Sequence, residues 1–115
     1  MESFRSSFRE TDLWVAVDKA HYCREMVKFT TDRILFYRDI LDKHIADYPE
    51  FRDSLVPVVA PGGAHGIVTA MSEAALAAGT GPMSAVAGAV AEFICNDILS
   101  EYSPEEVIIE NGGDI

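Results

Sequence analysis

Alternation of period two opens the chain. Phe4, Ser6 and Phe8 alternate with Arg5, Ser7 and Arg9, and Leu13, Val15 and Val17 alternate with Trp14 and Ala16. The polar run Glu10-Thr11-Asp12 stands between the two stretches. Residues 3–17 are therefore predicted to form a β-hairpin in a sheet whose other face is covered by helices. The period then changes. Val27, Thr30, Ile34, Tyr37, Leu41, Ile45 and Tyr48 follow steps of three and four, which is one apolar stripe on a long helix. Asp18 has the right chemistry for its N-cap, so the helix is predicted over residues 19–47. Pro49 ends it or marks a short break before residues 51–55.

Residues 56–64, with Pro57, Pro61, Gly62 and Gly63, read as a connector that stops any helix. A second helix is expected over 65–78, with Ile67, Met71, Ala74 and Ala78 on one face and Gly79 as its C′ residue. Thr80-Gly81-Pro82 is a turn, with proline placed to open a third helix over 82–100. Within residues 82–99 only Glu92 and Asp97 carry charge, and the rest is apolar or small on every side. That pattern predicts a buried helix. Ser84, Gly88, Ala91 and Cys95 form a face of small side chains that would let another backbone approach. Pro104 separates this helix from a last strand centred on Val107-Ile108-Ile109. The fold class expected is α+β: a two-strand hairpin plus a C-terminal strand in an antiparallel sheet, packed on a long helix and two further helices.

Composition places the chain among ordinary globular domains. Of 115 residues, 49% are hydrophobic and 24% are charged, too apolar for a disordered segment. The charge distribution says more. All nine basic residues lie between Arg5 and Arg52, and the ten acids of residues 1–52 nearly balance them. Residues 53–115 hold no Lys or Arg and nine acids. Nucleic-acid binding needs several cations to displace condensed counterions, so neither nucleic acid nor an anionic membrane surface is an expected partner. No transmembrane segment or secretory signal is visible, and Cys23 and Cys95 form neither a metal-type pair nor a disulfide framework. A cytoplasmic location is the simplest expectation.

Few motifs carry chemistry. There is no Walker loop, no H-E-x-x-H and no C-x-x-C. His21, His44 and His65 stand apart from one another and read as surface or capping residues. Two glycine-bearing segments remain as ligand-binding candidates. Gly81, Pro82, Met83 and Ser84 stand at a helix start, where backbone N–H groups and the helix dipole favour a phosphate or carboxylate. The alternative is a tight helix–helix turn. Asn111, Gly112, Gly113 and Asp114 follow a strand, where glycines allow close backbone approach to a ligand and Asp114 could hold a metal. The alternative is an ordinary hairpin turn.

Taken together, GPMSAVAGAVAE at residues 81–92 and VIIENGGDI at 107–115 resemble the uncharacterised ApbE-like proteins, distant relatives of a flavin transferase. FRETDLWVAVD, the long helix and YPEFRDSLVPV fit the same group. The resemblance implies a T-fold-like unit, with this chain corresponding to the N-terminal half of a two-unit protein. It also implies a small-molecule ligand, FAD or FMN, held with Mg²⁺ assistance. The transferases carry a lysine in the helix that matches residues 81–92, and none stands here. Their metal ligands come from the C-terminal unit. Transferase-like activity is therefore expected only of a full-length or assembled form. The small-residue helix face and a C-terminal edge strand suggest a homo-oligomer or pairing with the missing half. Two alternatives to ligand binding are a non-catalytic assembly module and a redox-enzyme-associated subunit.

Overall fold

The computed structural model describes residues 1–9 and 11–112. The elements are β1 (Glu2–Phe8), β2 (Thr11–Val17), α1 (Glu25–Asp47), α2 (Glu50–Asp53), α3 (Gly66–Ala78), a 3-10 turn (Pro82–Ala85), α4 (Val86–Tyr102) and β3 (Val107–Asn111). This is the expected α+β fold, a three-stranded antiparallel sheet packed against helices. The chain divides into two compact units. Residues 1–36 with 90–112 form one, and residues 37–89 form the other.

The first unit is built on the sheet, in the order β1-β2-β3. Phe4 faces Val15, which faces Ile109; Arg5 faces Trp14, which faces Glu110. Because side chains alternate across a strand, the register sorts them into two faces. Leu13, Val15 and Val17 of the central strand are fully buried, together with Met26, Thr30 and Ile34 of α1 and Ile94 and Ile98 of α4. Three contacts tie the helices in. Ser6 and Thr31 share a 2.6 Å hydroxyl hydrogen bond. Arg33 pairs with Asp97 at 2.9 Å. The rings of Phe29 and Tyr102 meet edge to face at 5.3 Å. The hairpin turn is tighter than the sequence suggests, since Phe8 pairs directly with Thr11 and Arg9 adopts φ 53°.

Asp18 does not cap α1. The helix starts six residues later than expected, at Glu25, and Cys23 lies before it rather than inside it. The Asp18 carboxylate instead accepts hydrogen bonds from the backbone N–H groups of Glu105 and Glu106, at 2.9 and 3.2 Å. Its own N–H donates to the Glu106 carbonyl. The residue thus anchors the entry to β3. A carboxylate satisfies orphan donors wherever they occur, and here the nearest ones belong to the incoming strand rather than to α1.

The second unit is helical. Its core holds Tyr37 and Leu41 of α1, Phe51 of α2, and Ile67, Val68, Met71 and Ala75 of α3. His65 caps α3, its ring nitrogen accepting the Ile67 N–H at 3.1 Å. Gly79 ends α3 in the left-handed conformation that glycine adopts without steric cost, φ 73°. His44 packs between the rings of Tyr48 and Phe51, each 4.8 Å away.

The uniformly apolar helix that the sequence predicts over 82–100 is not buried on every side. Ala89, Val90, Ile94 and Ile98 form one buried stripe, whereas Ser84, Gly88 and Leu99 are exposed. Nothing lies within 4 Å of the position a Gly88 Cβ would take, so the small-residue face meets no other backbone there. By length and composition alone, Pro82–Tyr102 could cross a membrane. In its last three turns Ile94 and Ile98 are buried, and Asp97 pairs with Arg33 of α1.

Candidate functional site

The helix-start candidate lies in the second unit. Gly81 has extended backbone, φ −73° and ψ 157°, and the reason for glycine is contact rather than conformation. A Cβ there would stand 1.9 Å from the Ser54 carbonyl oxygen. The chain just after α2, at Ser54 and Leu55, therefore packs directly against Gly81. Pro82 is buried and opens the 3-10 turn, Met83 is half-buried, and Ser84 is exposed. The Ser84 hydroxyl donates to the Gly81 carbonyl at 2.8 Å and lies 2.7 Å from the Thr80 hydroxyl, while the Ser84 N–H also donates to Gly81. The Val86 N–H donates to Met83. These donors serve the turn itself, which leaves fewer for an anion than the sequence suggests.

The strand-end candidate lies in the first unit. Gly113 and Asp114 fall outside the described residues. Asn111 pairs with Leu13, on the face that the helices cover, and its side-chain oxygen stands 3.5 Å from the Asp12 N–H. Gly112 follows it, so the two residues do not line one surface. A Cβ at Gly112 would meet Asp12 Oδ2 at 3.3 Å and Arg5 Nη2 at 3.5 Å. Arg5 and Asp12 themselves pair at 2.6 Å, diagonally across β1 and β2.

The register brings a further group to this face. Arg5, Trp14 and Glu110 sit side by side across the three strands, so their side chains share the side of the sheet away from the core. Trp14 is 36% exposed. The open face thus carries a guanidinium, a carboxylate and an indole, with the half-buried Gly112 against the first two. Arginine recognises carboxylate and phosphate through paired donors, and an indole offers a stacking surface. Sequence reasoning missed Arg5 and Trp14. The alternation of the hairpin does assign both to its polar side, but only the pairing of β2 with β3 brings them beside Gly112.

Other reactive groups have structural roles. Asp18 is held down to about 2, chiefly by the hydrogen bond to the His21 ring and then by the Glu106 and Glu105 amides. The same pairing raises His21. Burial raises the Cys95 thiol, with Glu92 adding to the effect, so it is not an activated nucleophile. Among the described residues no group of three or more His, Cys, Asp and Glu side chains converges on a metal position.

A small α+β domain with a polar sheet face is the class that these features define. The sequence matches the family described as AbpE bacteria over residues 1–115, and the chain belongs to that family. It is also similar to proteins called UPF0280 in archaea. The protein from Methanococcus aeolicus is 38% identical over 109 residues, which is 95% of this chain and 42% of that relative. The one from Methanopyrus kandleri is 36% identical over 115 residues, or 100% and 44%. The one from Archaeoglobus fulgidus is 30% identical over 115 residues, or 100% and 46%. The chain spans less than half the length of these relatives. The family is an uncharacterised one.

Proposed function

We propose that the open sheet face binds a nucleotide-type anion, a flavin nucleotide in the reading that the ApbE resemblance suggests. The observation that carries this is the Arg5 guanidinium beside Gly112. Residues 53–115 contain no cation of their own, and Arg5 supplies one from the opposite edge of the sheet. The Arg5 and Asp12 side chains lie against Gly112, so a phosphate would meet the guanidinium beside that backbone. Trp14, next to Arg5 in register, offers the plane on which an isoalloxazine or purine ring would stack. Magnesium ions are commonly held by one or two carboxylates together with substrate phosphates. Asp12 is the carboxylate that would hold the ion here, and Asp114 is a second candidate. The Gly81–Ser84 turn, in the second unit, stays a separate anion-binding candidate. Flavin carries the redox or group-transfer chemistry; this chain's part is to bind and orient the ring and phosphate. Transferase-like activity is assigned only to a longer or assembled form.

Trp14 is the single tryptophan, which makes the test direct. Titration with FMN, FAD and ADP, with and without Mg²⁺, is expected to quench its emission. Arg5→Ala should weaken binding about tenfold, the equivalent of one charge-assisted contact at ~1.4 kcal/mol. Unchanged Trp14 emission with all three ligands would sink the reading. A second reading, an assembly module, is favoured by the exposed apolar side chains of the second unit.

A further inference from the structure

The connector after α2 leaves a run of aliphatic side chains in solvent. Leu55, Val56 and Val59 of the connector and Leu76 of α3 are 63–88% exposed, and all four lie in the second unit. Between the connector and α3 lies a cavity of about 220 Å³. Its walls are residues 57–60 on one side and Thr69, Ser72, Glu73 and Leu76 on the other. Glu73 is the only charged residue among them. The buried Ser72 hydroxyl on that wall has no hydrogen-bond partner. No backbone hydrogen bond joins residues 57–60 to another described residue. A contiguous patch of exposed aliphatics is costly in water, and here it borders an apolar hollow with an unpaired buried hydroxyl.

We propose that this face is a self-association surface and that its occupant is a second copy of this chain. The reasons are shape, area and charge. The face holds both a hollow wide enough for one aliphatic side chain and protruding aliphatic side chains to fill it. A two-fold axis would therefore seat Leu55 or Val59 of each copy in the hollow of the other, an isologous contact. Val56 is already bonded to the Ser54 hydroxyl through its N–H and C=O, but Val58-Val59-Ala60 is apolar throughout, so two copies can run antiparallel there and pair their backbones. The four exposed residues present at most roughly 500 Å² per copy, hence up to about 1,000 Å² for a pair, the threshold for a specific interface. The chain carries a net charge of −10, so most of its surface repels a second copy. This face, with one acid in its hollow, is the exception. The proposal is independent of the ligand reading, which concerns the sheet face of the first unit.

The test is the mass of the 115-residue chain by sedimentation equilibrium from about 1 to 200 μM, a span chosen to bracket micromolar affinities. The expected result is a concentration-dependent rise from 12.6 kDa to twice that value. Val59→Glu and Leu76→Glu place an acid on exposed positions of the face. Each should hold the chain at the single mass while leaving its far-ultraviolet circular dichroism spectrum unchanged. Leu99→Glu, on α4 and away from the face, should leave the dimer intact. A single mass across the whole range overturns the proposal. So does a dimer that Leu99→Glu dissolves and Val59→Glu does not.

Discussion

The sheet face of the first unit and the connector face of the second are both uncovered, yet they satisfy their groups in opposite ways. On the sheet, the ladder pairs the backbone, so the open side can afford polar groups, and Arg5 finds Asp12 in the neighbouring strand. On the connector, the backbone of residues 57–60 pairs with no other described residue, and the side chains around it are mostly apolar. The first surface is self-sufficient, its guanidinium held by Asp12, and a ligand in the proposed reading would have to share that cation. The second is unsatisfied and fits a partner that brings both hydrogen bonds and apolar bulk. The lesson is that exposure alone says little about function; what matters is whether the exposed groups already have partners.

The largest expected effect probes what holds the connector in place. Gly81→Ala would put a Cβ 1.9 Å from the Ser54 carbonyl, a clash with backbone that no rotamer relieves. Urea unfolding should show a loss of about 3 kcal/mol, at the upper end for overpacking. Amide resonances of residues 54–60 should move while those of 3–16 stay. Shifts concentrated in the sheet would break the division between the two surfaces.

A smaller effect should appear with pH in the first unit. Asp18 is depressed from 3.8 to about 2, so its contribution is present above pH 3.8 and fades as pH falls toward 2. His21 is raised from 6.5, so its contribution is present below 6.5 and is lost as pH rises through the elevated folded value. The two overlap between pH 3.8 and 6.5. The urea midpoint should therefore peak in that window. His21→Gln should flatten its alkaline side, and an unchanged profile in that variant would show that the pair does not couple to folding.

The smallest effect runs the other way. Gly88 lies inside α4 with open space where its Cβ would be. Gly88→Ala should stabilise the chain by about 1 kcal/mol, from helix propensity alone. A loss in the thermal melt would mean that something approaches Gly88 closely. Gly81 and Gly88 sit seven residues apart in one sequence and call for opposite outcomes from the same substitution.

Local patterns were legible where local physics decides. The hairpin follows from alternation at Phe4–Phe8 and Leu13–Val17, and the α1 stripe through Thr30, Ile34, Tyr37 and Leu41 is buried as its spacing requires. Gly79 behaves as a C-terminal glycine should. The misreadings arise where a distant partner decides. Asp18 has the chemistry of a cap, but its donors come from Glu105 and Glu106. The helix after Pro82 lacks charge on every side, yet only one stripe meets the core; low polarity does not by itself tell which faces are covered. Of the candidate site, Gly112 was legible from its glycine. Asn111 turns to the covered face through register, and Arg5 and Trp14 join Gly112 only through strand pairing, which no local spacing encodes.

The bond between Asp18 and Glu106 spans 88 residues of chain. During synthesis the hairpin emerges first, and its central strand then waits with one edge open until β3 leaves the ribosome. At the usual 5–20 residues per second that wait lasts roughly 5 to 20 seconds. Through that interval Leu13, Val15 and Val17 belong to a half-made sheet, the state most exposed to pairing with a neighbouring nascent chain. A carboxylate that looks like a detail of one loop is therefore also a late fastener, and crowded polysomes are where its absence would first be felt.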